Sequence, residues 1–424
     1  MEKKENVLLR VLFALVSVII LGIVLSRIAA FFGQPPVIGE VLAGICLGPS
    51  LLGSEYSSWI LPPLVAPYLS VIAQLGVLLY MFVVGLELNL DLFKARFSCA
   101  MIISHSSIVV PFLFGTILAV FLYPGLSVSG ISFTPFALFL GVAMSITAFP
   151  VLARILTDRG MQTSELGVIA LSSAAIGDVT AWLLLAIVVG IAKAQMGSGL
   201  WVTIGATLYI LSMFFIVRPL LRNIIMRWES DRLSREATIF IYSCLLISAL
   251  ITEKIGIHAI FGAFLFGAVI PHNSVVAKAF AKQLESGVTV LLLPAFFAFT
   301  GMQTRVDLLS GTNNWLICAL IIIVASVGKL GGAFLAAYYS GMDIRKSMVM
   351  GTLMNTRGLM ELIVLNIGLE LGVISQQLFA MMILMALATT MMTGPLCSIL
   401  LKGQPEVQGN LQTEEYNEVL SPSQ

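Results

Sequence analysis

The sequence predicts an all-α membrane protein with about 13 transmembrane helices, each long enough to cross a hydrocarbon layer of about 30 Å. Of the 424 residues, 58% are hydrophobic and only 11% are charged, whereas soluble domains carry about 25% charged residues. The mean hydropathy is +1.01. The apolar residues also fall into long segments separated by short polar turns, so no soluble domain interrupts the chain.

The predicted spans follow one another along residues 8–31, 36–53, 68–86, 99–122, 133–156, 164–192, 200–224, 237–252, 255–271, 287–302, 315–339, 346–369 and 376–401. The first follows Lys3, Lys4 and Arg10, as in a signal peptide, but it is too long and lacks a small-residue cleavage site, which favours a retained helix. Residues 1–403 are predicted to form one transmembrane domain. The polar, acidic segment 404–424 is predicted to be a short disordered cytoplasmic tail.

The basic residues predict an orientation. Most of the 23 Lys and Arg residues fall on the inner side if the N-terminus is outside, and five of them lie in the stretch 218–235. The positive-inside rule therefore favours an outer N-terminus and a cytoplasmic C-terminus. The net charge of +1 gives no indication of nucleic-acid binding.

Cysteine and histidine patterns do not predict a metal centre or a cofactor site. The five cysteines lie in apolar segments without C-x-x-C spacing and are interpreted as packing residues. They are Cys46, Cys99, Cys244, Cys318 and Cys397. The histidines lie near segment edges without ligand spacing: His105, His258 and His272.

Two predicted spans are interrupted by residues that a membrane helix avoids. Pro150, in the fifth, lacks a backbone donor and disfavours helix at Phe149, although a single proline can also make an ordinary kink. Residues 355–358 interrupt the twelfth. Paired interruptions at membrane depth in opposite halves are typical of a transporter site. An offset of seven spans makes the two antiparallel, which predicts two inverted six-helix repeats joined by a seventh helix.

Two charges lie deep in apolar segments. Asp178 is in the middle of the sixth span among small residues, and Lys329 lies among glycines in the eleventh. Charges at this depth are costly and mark ion pathways, proton relays or mutual pairs. The Asp178 carboxylate is expected to bind either a proton or a monovalent cation, with Lys329 as its charge partner. The alternative is a purely structural salt bridge between them.

Further polar side chains are candidates for supporting roles. Thr147 and Ser173 are expected to add oxygen ligands beside Asp178. Arg357 and Glu361 lie four residues apart and can form an ion pair on one helix. With Asn355, they are expected to stabilise or gate the second broken helix. Glu87 lies at the inner end of the third span, where it either lines a cytoplasmic funnel or is an ordinary interfacial carboxylate.

With these residues in view, the chain resembles the monovalent cation/proton antiporter superfamily, and most of all its bacterial and plant cation/proton exchangers. The resemblance extends over about residues 10–400 and depends on the order of several motifs. They are PVIGEVLAG at 36–44, LGPS at 47–50, VGLE at 84–87, SITAFPVLAR at 145–154 and NTRGLMEL at 355–362.

The resemblance implies a 13-helix inverted-repeat fold, a homodimer in the lipid bilayer, and a core domain that moves like an elevator. It matches Asp178 to the ion-binding aspartate, Lys329 to the core lysine and Thr147 to the crossing of the broken helices. In the family the residue before this aspartate is commonly Asp or Asn, but here it is Gly177. With a single carboxylate at the site, we expect one-for-one exchange unless Lys329 also carries a proton.

The predicted function is secondary antiport of a monovalent cation against H⁺, with Na⁺ favoured and K⁺ possible. A K⁺-selective exchanger, or a channel or sensor derived from the same fold, is the alternative. An enzyme is not expected, because an intramembrane aspartyl protease requires a second buried aspartate. The lack of a cleavable targeting segment and of a long regulatory tail suits a bacterial inner membrane.

Overall fold

The computed structural model describes residues 7–60, 62, 64–87, 97–161, 164–194, 199–227, 235–271 and 274–402. The first helices are α1 (Val7–Phe31), α2 (Pro36–Leu47), α3 (Pro49–Ile60), α4 (Ala66–Glu87), α5 (Phe97–Leu126), α6 (Phe133–Ser145), α7 (Phe149–Asp158), α8 (Glu165–Ala194) and α9 (Gly199–Ser212). They are followed by α10 (Arg218–Arg227), α11 (Arg235–Ile255), α12 (Ala259–Val269), α13 (Val275–Gly287), α14 (Leu293–Gln303), α15 (Thr312–Tyr339), α16 (Ile344–Met354), α17 (Leu359–Glu370) and α18 (Gln376–Leu401). Single π-helical turns join α9 to α10 and α13 to α14.

The regular elements of the described residues are all helical, which confirms the predicted fold class. Ten helical segments are long and apolar enough to cross a membrane, and the bent pair α16–α17 makes an eleventh. Helices α2 and α12 are shorter and lie at the second and ninth predicted spans. Gly48, in an extended conformation, ends α2 one residue before Pro49 begins α3. The exact count of 13 stays a prediction.

The helices pack into two groups. Helices α1–α4 and α11–α14 pack mainly with one another and are called the scaffold group here. Helices α5–α8 and α15–α18 also pack mainly with one another and form the core group. Helix α9 packs against α8 of the core group and α11 of the scaffold group. Each group has a smaller buried apolar cluster of its own, whereas the largest buried cluster extends through both groups, from Phe82 of α4 to Phe139 of α6.

Glycines tighten the packing inside each group. A Cβ atom on Gly85 would lie 2.3 Å from the Phe264 carbonyl oxygen, so α4 and α12 are in backbone contact in the scaffold group. A Cβ atom on Gly332 would lie 2.9 Å from the Ser106 carbonyl oxygen, between α15 and α5 of the core group. Small residues permit such close approach of membrane helices. Among the glycines that the structure describes, none with an approach below 3.4 Å brings a scaffold helix against a core helix.

The fifth predicted span is broken, but Pro150 does not end a helix. Helix α6 ends at Ser145, Ile146 is extended (φ −71°, ψ 138°), and α7 begins at Phe149. Pro150 is the second residue of α7, where the missing N–H would have no partner within the helix in any case. The predicted break is confirmed, whereas the expectation that Pro150 keeps Phe149 out of a helix was wrong.

Candidate functional site

The two broken spans meet at their interruptions. The Ala148 N–H donates to the Thr356 carbonyl oxygen over 3.0 Å, and the Thr147 hydroxyl donates to the Met354 carbonyl oxygen over 3.1 Å. Helices α16 and α17 are bent by 44° at their break. The two interruptions thus supply hydrogen-bond partners to each other. Irregular backbone at membrane depth needs such partners, because lipid offers none.

Arg357 binds the C-terminal end of α6. Its guanidinium donates to the carbonyl oxygens of Ala143 (3.1 Å) and Met144 (2.7 Å), and it forms a 2.8 Å ion pair with Glu361. Both charged side chains are fully buried. A cation at the negative end of a helix is favourable. The backbone N–H and carbonyl of Arg357 are also hydrogen-bonded to the Thr390 hydroxyl, at 3.0 and 2.8 Å.

Lys329 occupies the same helix end. Its ammonium group donates to the Ser107 carbonyl oxygen over 2.9 Å and to the Ser145 carbonyl oxygen. The last three carbonyls of α6 therefore accept hydrogen bonds from two buried cations. No ion pair within 4.0 Å joins Lys329 to Asp178, although both residues belong to the described part of the chain. Lys329 is thus a charge near Asp178 without being its hydrogen-bond partner.

Asp178 is the exceptional polar group of the core. It lies in α8 and is only 2% exposed. The Phe149 backbone N–H at the start of α7 faces the carboxylate, but neither oxygen has a hydrogen bond of normal geometry among the described residues. Buried carboxylates are almost always well hydrogen-bonded, so such a poorly satisfied carboxylate points to a ligand or bound water. Asp178 lines a small cavity whose other lining residues are Ile146, Ala181, Trp182, Met360 and Val364.

The other predicted site residues of the core group are buried but do not line this cavity. The Thr147 side chain is at the crossing but does not line the cavity, whereas its neighbour Ile146 does. Ser173 is buried, and its hydroxyl donates to the Ile169 carbonyl of its own helix over 2.8 Å. Asn355, at the second break, is buried, and neither atom of its amide has a partner among the described residues.

Two further predicted features concern the surroundings of the site. Glu87 ends α4, and its side chain lies outside the described part of the chain. A Cβ atom on Gly177 would lie 3.4 Å from the Ser104 hydroxyl, an ordinary contact, so a small side chain fits at that position. The Ser104 hydroxyl is itself buried without a partner among the residues described.

Sequence reasoning missed Trp182. It lies one turn after Asp178, lines the same cavity, and its indole nitrogen is buried without a partner within the described residues. The i, i+4 spacing from Asp178 could have indicated that both face one side of α8. Its ring also stacks on Phe264 of the scaffold group, with the centroids 6.1 Å apart. The cavity therefore lies where the core group contacts the scaffold group.

The architecture has counterparts among known proteins. Residues 11–403 match the family described as "Sodium/hydrogen exchanger, transmembrane". The chain belongs to the sodium/hydrogen exchanger family. This exchanger is 41% identical over 397 residues to "Na(+)/H(+) antiporter NhaS4" of Synechocystis, covering 92% of this chain and 97% of that protein.

Longer relatives and a solved structure extend the comparison. The exchanger is 38% identical over 405 residues to "Cation/H(+) antiporter 17" of Arabidopsis thaliana, covering 92% of this chain and 49% of that one. It is 34% identical over 378 residues to "K(+)/H(+) antiporter 1" of Saccharomyces cerevisiae, covering 86% of this chain and 43% of that one. It therefore spans less than half the length of these two relatives. The sodium proton antiporter MjNhaP1 of Methanocaldococcus jannaschii shares the fold at 15% identity, with a TM-score of 0.64 over 95% of this chain and 96% of that one.

These findings confirm the resemblance drawn from the motifs, the antiporter fold and the membership of a multi-pass membrane transporter family. As a member of this family, the exchanger is a monovalent cation/proton antiporter. The roles assigned to single residues stay predictions. Among the described residues, no group of three or more His, Cys, Asp or Glu side chains comes together as metal ligands do.

Proposed function

We propose that the exchanger binds a monovalent cation and H⁺ alternately at Asp178. The observation that carries this proposal is a buried carboxylate that makes no hydrogen bond of normal geometry within the described residues, beside a cavity at the crossing of two broken helices. Such a carboxylate is stable when it holds either a proton or a cation. Both ligands then compete for one site, and this competition couples their movements.

The cation's remaining ligands come from groups around the cavity. Ile146 lines the cavity and belongs to the extended segment, whose carbonyls are candidate ligands, and the buried Trp182 N–H can hold a water molecule there. Oxygen ligands suit hard cations such as Na⁺ and K⁺. Gly177 does not line the cavity, since a Cβ atom there would contact Ser104 and Ile108 of α5. Relatives named for Na⁺/H⁺ and for K⁺/H⁺ antiport are consistent with either ion.

Lys329 is proposed to stay charged during transport and to balance the negative site at a distance. Its two backbone carbonyl acceptors satisfy the ammonium group whether or not Asp178 holds a cation. Asp178 then carries the only proton that is exchanged, and the stoichiometry is one cation for one H⁺. Arg357, Glu361 and Asn355 are proposed to maintain the broken helices, and Glu87 to lie on the inner approach.

The core group is proposed to slide against the scaffold group and so expose Asp178 to one side and then to the other. The glycine contacts support this, because they tighten each group internally and not the interface between them. The exchanger is proposed to be a homodimer in a bacterial inner membrane, with the N-terminus outside and the tail 404–424 in the cytoplasm. Chemical cross-linking in the membrane and cysteine labelling at the two termini test these proposals.

Asp178→Asn provides the decisive test. Vesicles containing the variant should show no cation-driven proton movement above empty vesicles, whereas Thr180→Ala, two residues away on α8, should retain exchange. In the wild type, the apparent KM for the cation should rise as pH falls, approaching about tenfold per pH unit for one shared proton, while the rate at saturating cation stays constant. Wild-type rates with Na⁺, K⁺ and Li⁺ identify the cation. Full exchange by Asp178→Asn would refute the proposal.

A further inference from the structure

A second cavity lies between the two helix groups, at the end of α17 that is far from the break. Scaffold helices α4, α12 and α14 line one side of it, and α17 of the core group lines the other. Four polar side chains face into this otherwise apolar space: Gln74, His258, Asn366 and Glu370. Hydrogen bonds across an interface that separates during transport must break in every cycle. Apolar side chains at the same positions would leave fewer such bonds to break.

Glu370, the last residue of α17, connects to two scaffold helices. Its Oε1 accepts a hydrogen bond from Gln74 Nε2 of α4 over 3.4 Å, and its Oε2 lies 3.8 Å from Nε2 of His258, which precedes α12. The side chains of His258 and Glu370 are 21% and 51% exposed, so water and protons reach the pair. One carboxylate of the core group thus bridges two elements of the scaffold group.

Asn366 adds a third connection one turn earlier on α17. Its amide nitrogen donates to the Thr300 hydroxyl of α14 over 3.0 Å, and also to the Leu362 carbonyl over 2.7 Å. Both Asn366 and Thr300 are buried. Since residues four apart share one face of a helix, Asn366 and Glu370 present a continuous polar edge toward the scaffold group.

We propose that these contacts form a latch between the two helix groups. In the latch, Asn366 donates a hydrogen bond to Thr300, and Glu370 contacts both Gln74 and His258. The latch stabilises the conformation seen here and must open in each transport cycle. Helix α17 begins at the break beside Asp178 and ends at the latch, so it moves with the ion site. The inference rests on the proposed sliding of the core group, and it adds the contacts that oppose this sliding at one end.

His258 presents a defined ring nitrogen to the latch. Its Nδ1 accepts the Ile260 N–H over 3.5 Å as the cap of α12, so Nε2 carries the ring hydrogen and faces Glu370. His258 also has φ 80°, the only positive φ among described non-glycine residues. Such a backbone conformation persists only where its surroundings hold it in place.

The start of α12 beside His258 is also held by another helix of the scaffold group. From α11, Glu253 accepts the Ala259 N–H over 2.8 Å at the start of α12. His258 therefore faces Glu370 from a well-anchored part of the scaffold group.

The first test measures exchange at saturating cation concentration, where competition at Asp178 no longer limits the rate, with equal pH on both sides of the membrane. Glu370→Gln and His258→Gln should each raise the rate by about two- to fivefold, the range expected for a partly exposed polar contact. The double variant should gain no more than either single variant. Glu55→Gln, an exposed carboxylate on α3, should leave the rate unchanged.

The second test asks whether the latch moves at all. In a cysteine-free background, Gln74→Cys and Glu370→Cys together should be joined by a short, reducible bis-thiol reagent. Exchange should then stop and return after reduction, while either single variant treated in the same way stays active. Undiminished exchange by the cross-linked protein, or saturating rates unaltered in Glu370→Gln and His258→Gln, would overturn the latch. Neither result would affect the role of Asp178, which Asp178→Asn tests separately.

Discussion

Arg357 and Glu361 allow the energetics of the core to be tested in detail. Replacing Arg357 by Met leaves the Glu361 carboxylate fully buried without its cation, and it removes donors from the Ala143 and Met144 carbonyls. Breaking a buried pair from one side costs about 3–5 kcal/mol. We expect Arg357→Met to lie in that range.

The reverse substitution should cost less. In Glu361→Gln, Arg357 keeps its hydrogen bonds to the Ala143 and Met144 carbonyls at the negative end of α6. Such a helix end stabilises a cation by up to about 2 kcal/mol in partly buried sites. The expected cost of Glu361→Gln is therefore about 1–3 kcal/mol. The double variant removes both charges, so it should be more stable than Arg357→Met alone.

The assay is the midpoint temperature at which the detergent-solubilised protein loses its monodisperse size-exclusion peak. The wild type should have the highest midpoint and Arg357→Met the lowest. Glu361→Gln and the double variant should lie between them, in either order. The reasoning is refuted if Arg357→Met is as stable as Glu361→Gln. It is also refuted if the double variant loses the sum of the two single losses, because the two charges would then not be coupled.

Three further predictions concern single positions. Gly177→Asp places a second carboxylate beside Asp178, within reach of the Ser104 hydroxyl. This variant should make exchange in vesicles respond to the membrane potential. An unchanged potential dependence would count against coupling through a single carboxylate. Lys329→Gln should lower the thermal midpoint but keep one-for-one exchange, and loss of proton coupling with cation flux intact would show that the lysine carries a proton. Gly85→Ala would force a Cβ atom to 2.3 Å from a backbone oxygen and should cost at least about 1–3 kcal/mol, measured as a lower midpoint, whereas Gly331→Ala, with open space around it, should not.

The class of protein could be predicted from the amino-acid sequence. Long apolar segments can satisfy their backbone groups in lipid only as helices, so composition and segment length predicted an all-helical, multi-pass fold. The same physics selected Asp178, Lys329 and the two interrupted spans, because charges and irregular backbone are costly in a bilayer. The order of short motifs was enough to indicate the exchanger family, which the comparison with known proteins confirmed.

The arrangement of these residues in space follows from the tertiary structure alone. Lys329 donates to two backbone carbonyls without a direct bond to Asp178, and Pro150 lies in the first turn of a half-helix. The tertiary structure also adds Trp182 to the cavity and brings Glu370 against His258 across the helix groups. Sequence spacing fixes which side chains share one face of one helix. Which carbonyl, carboxylate or imidazole a side chain meets depends on how separate helices cross, and this is set by the packing of the whole molecule.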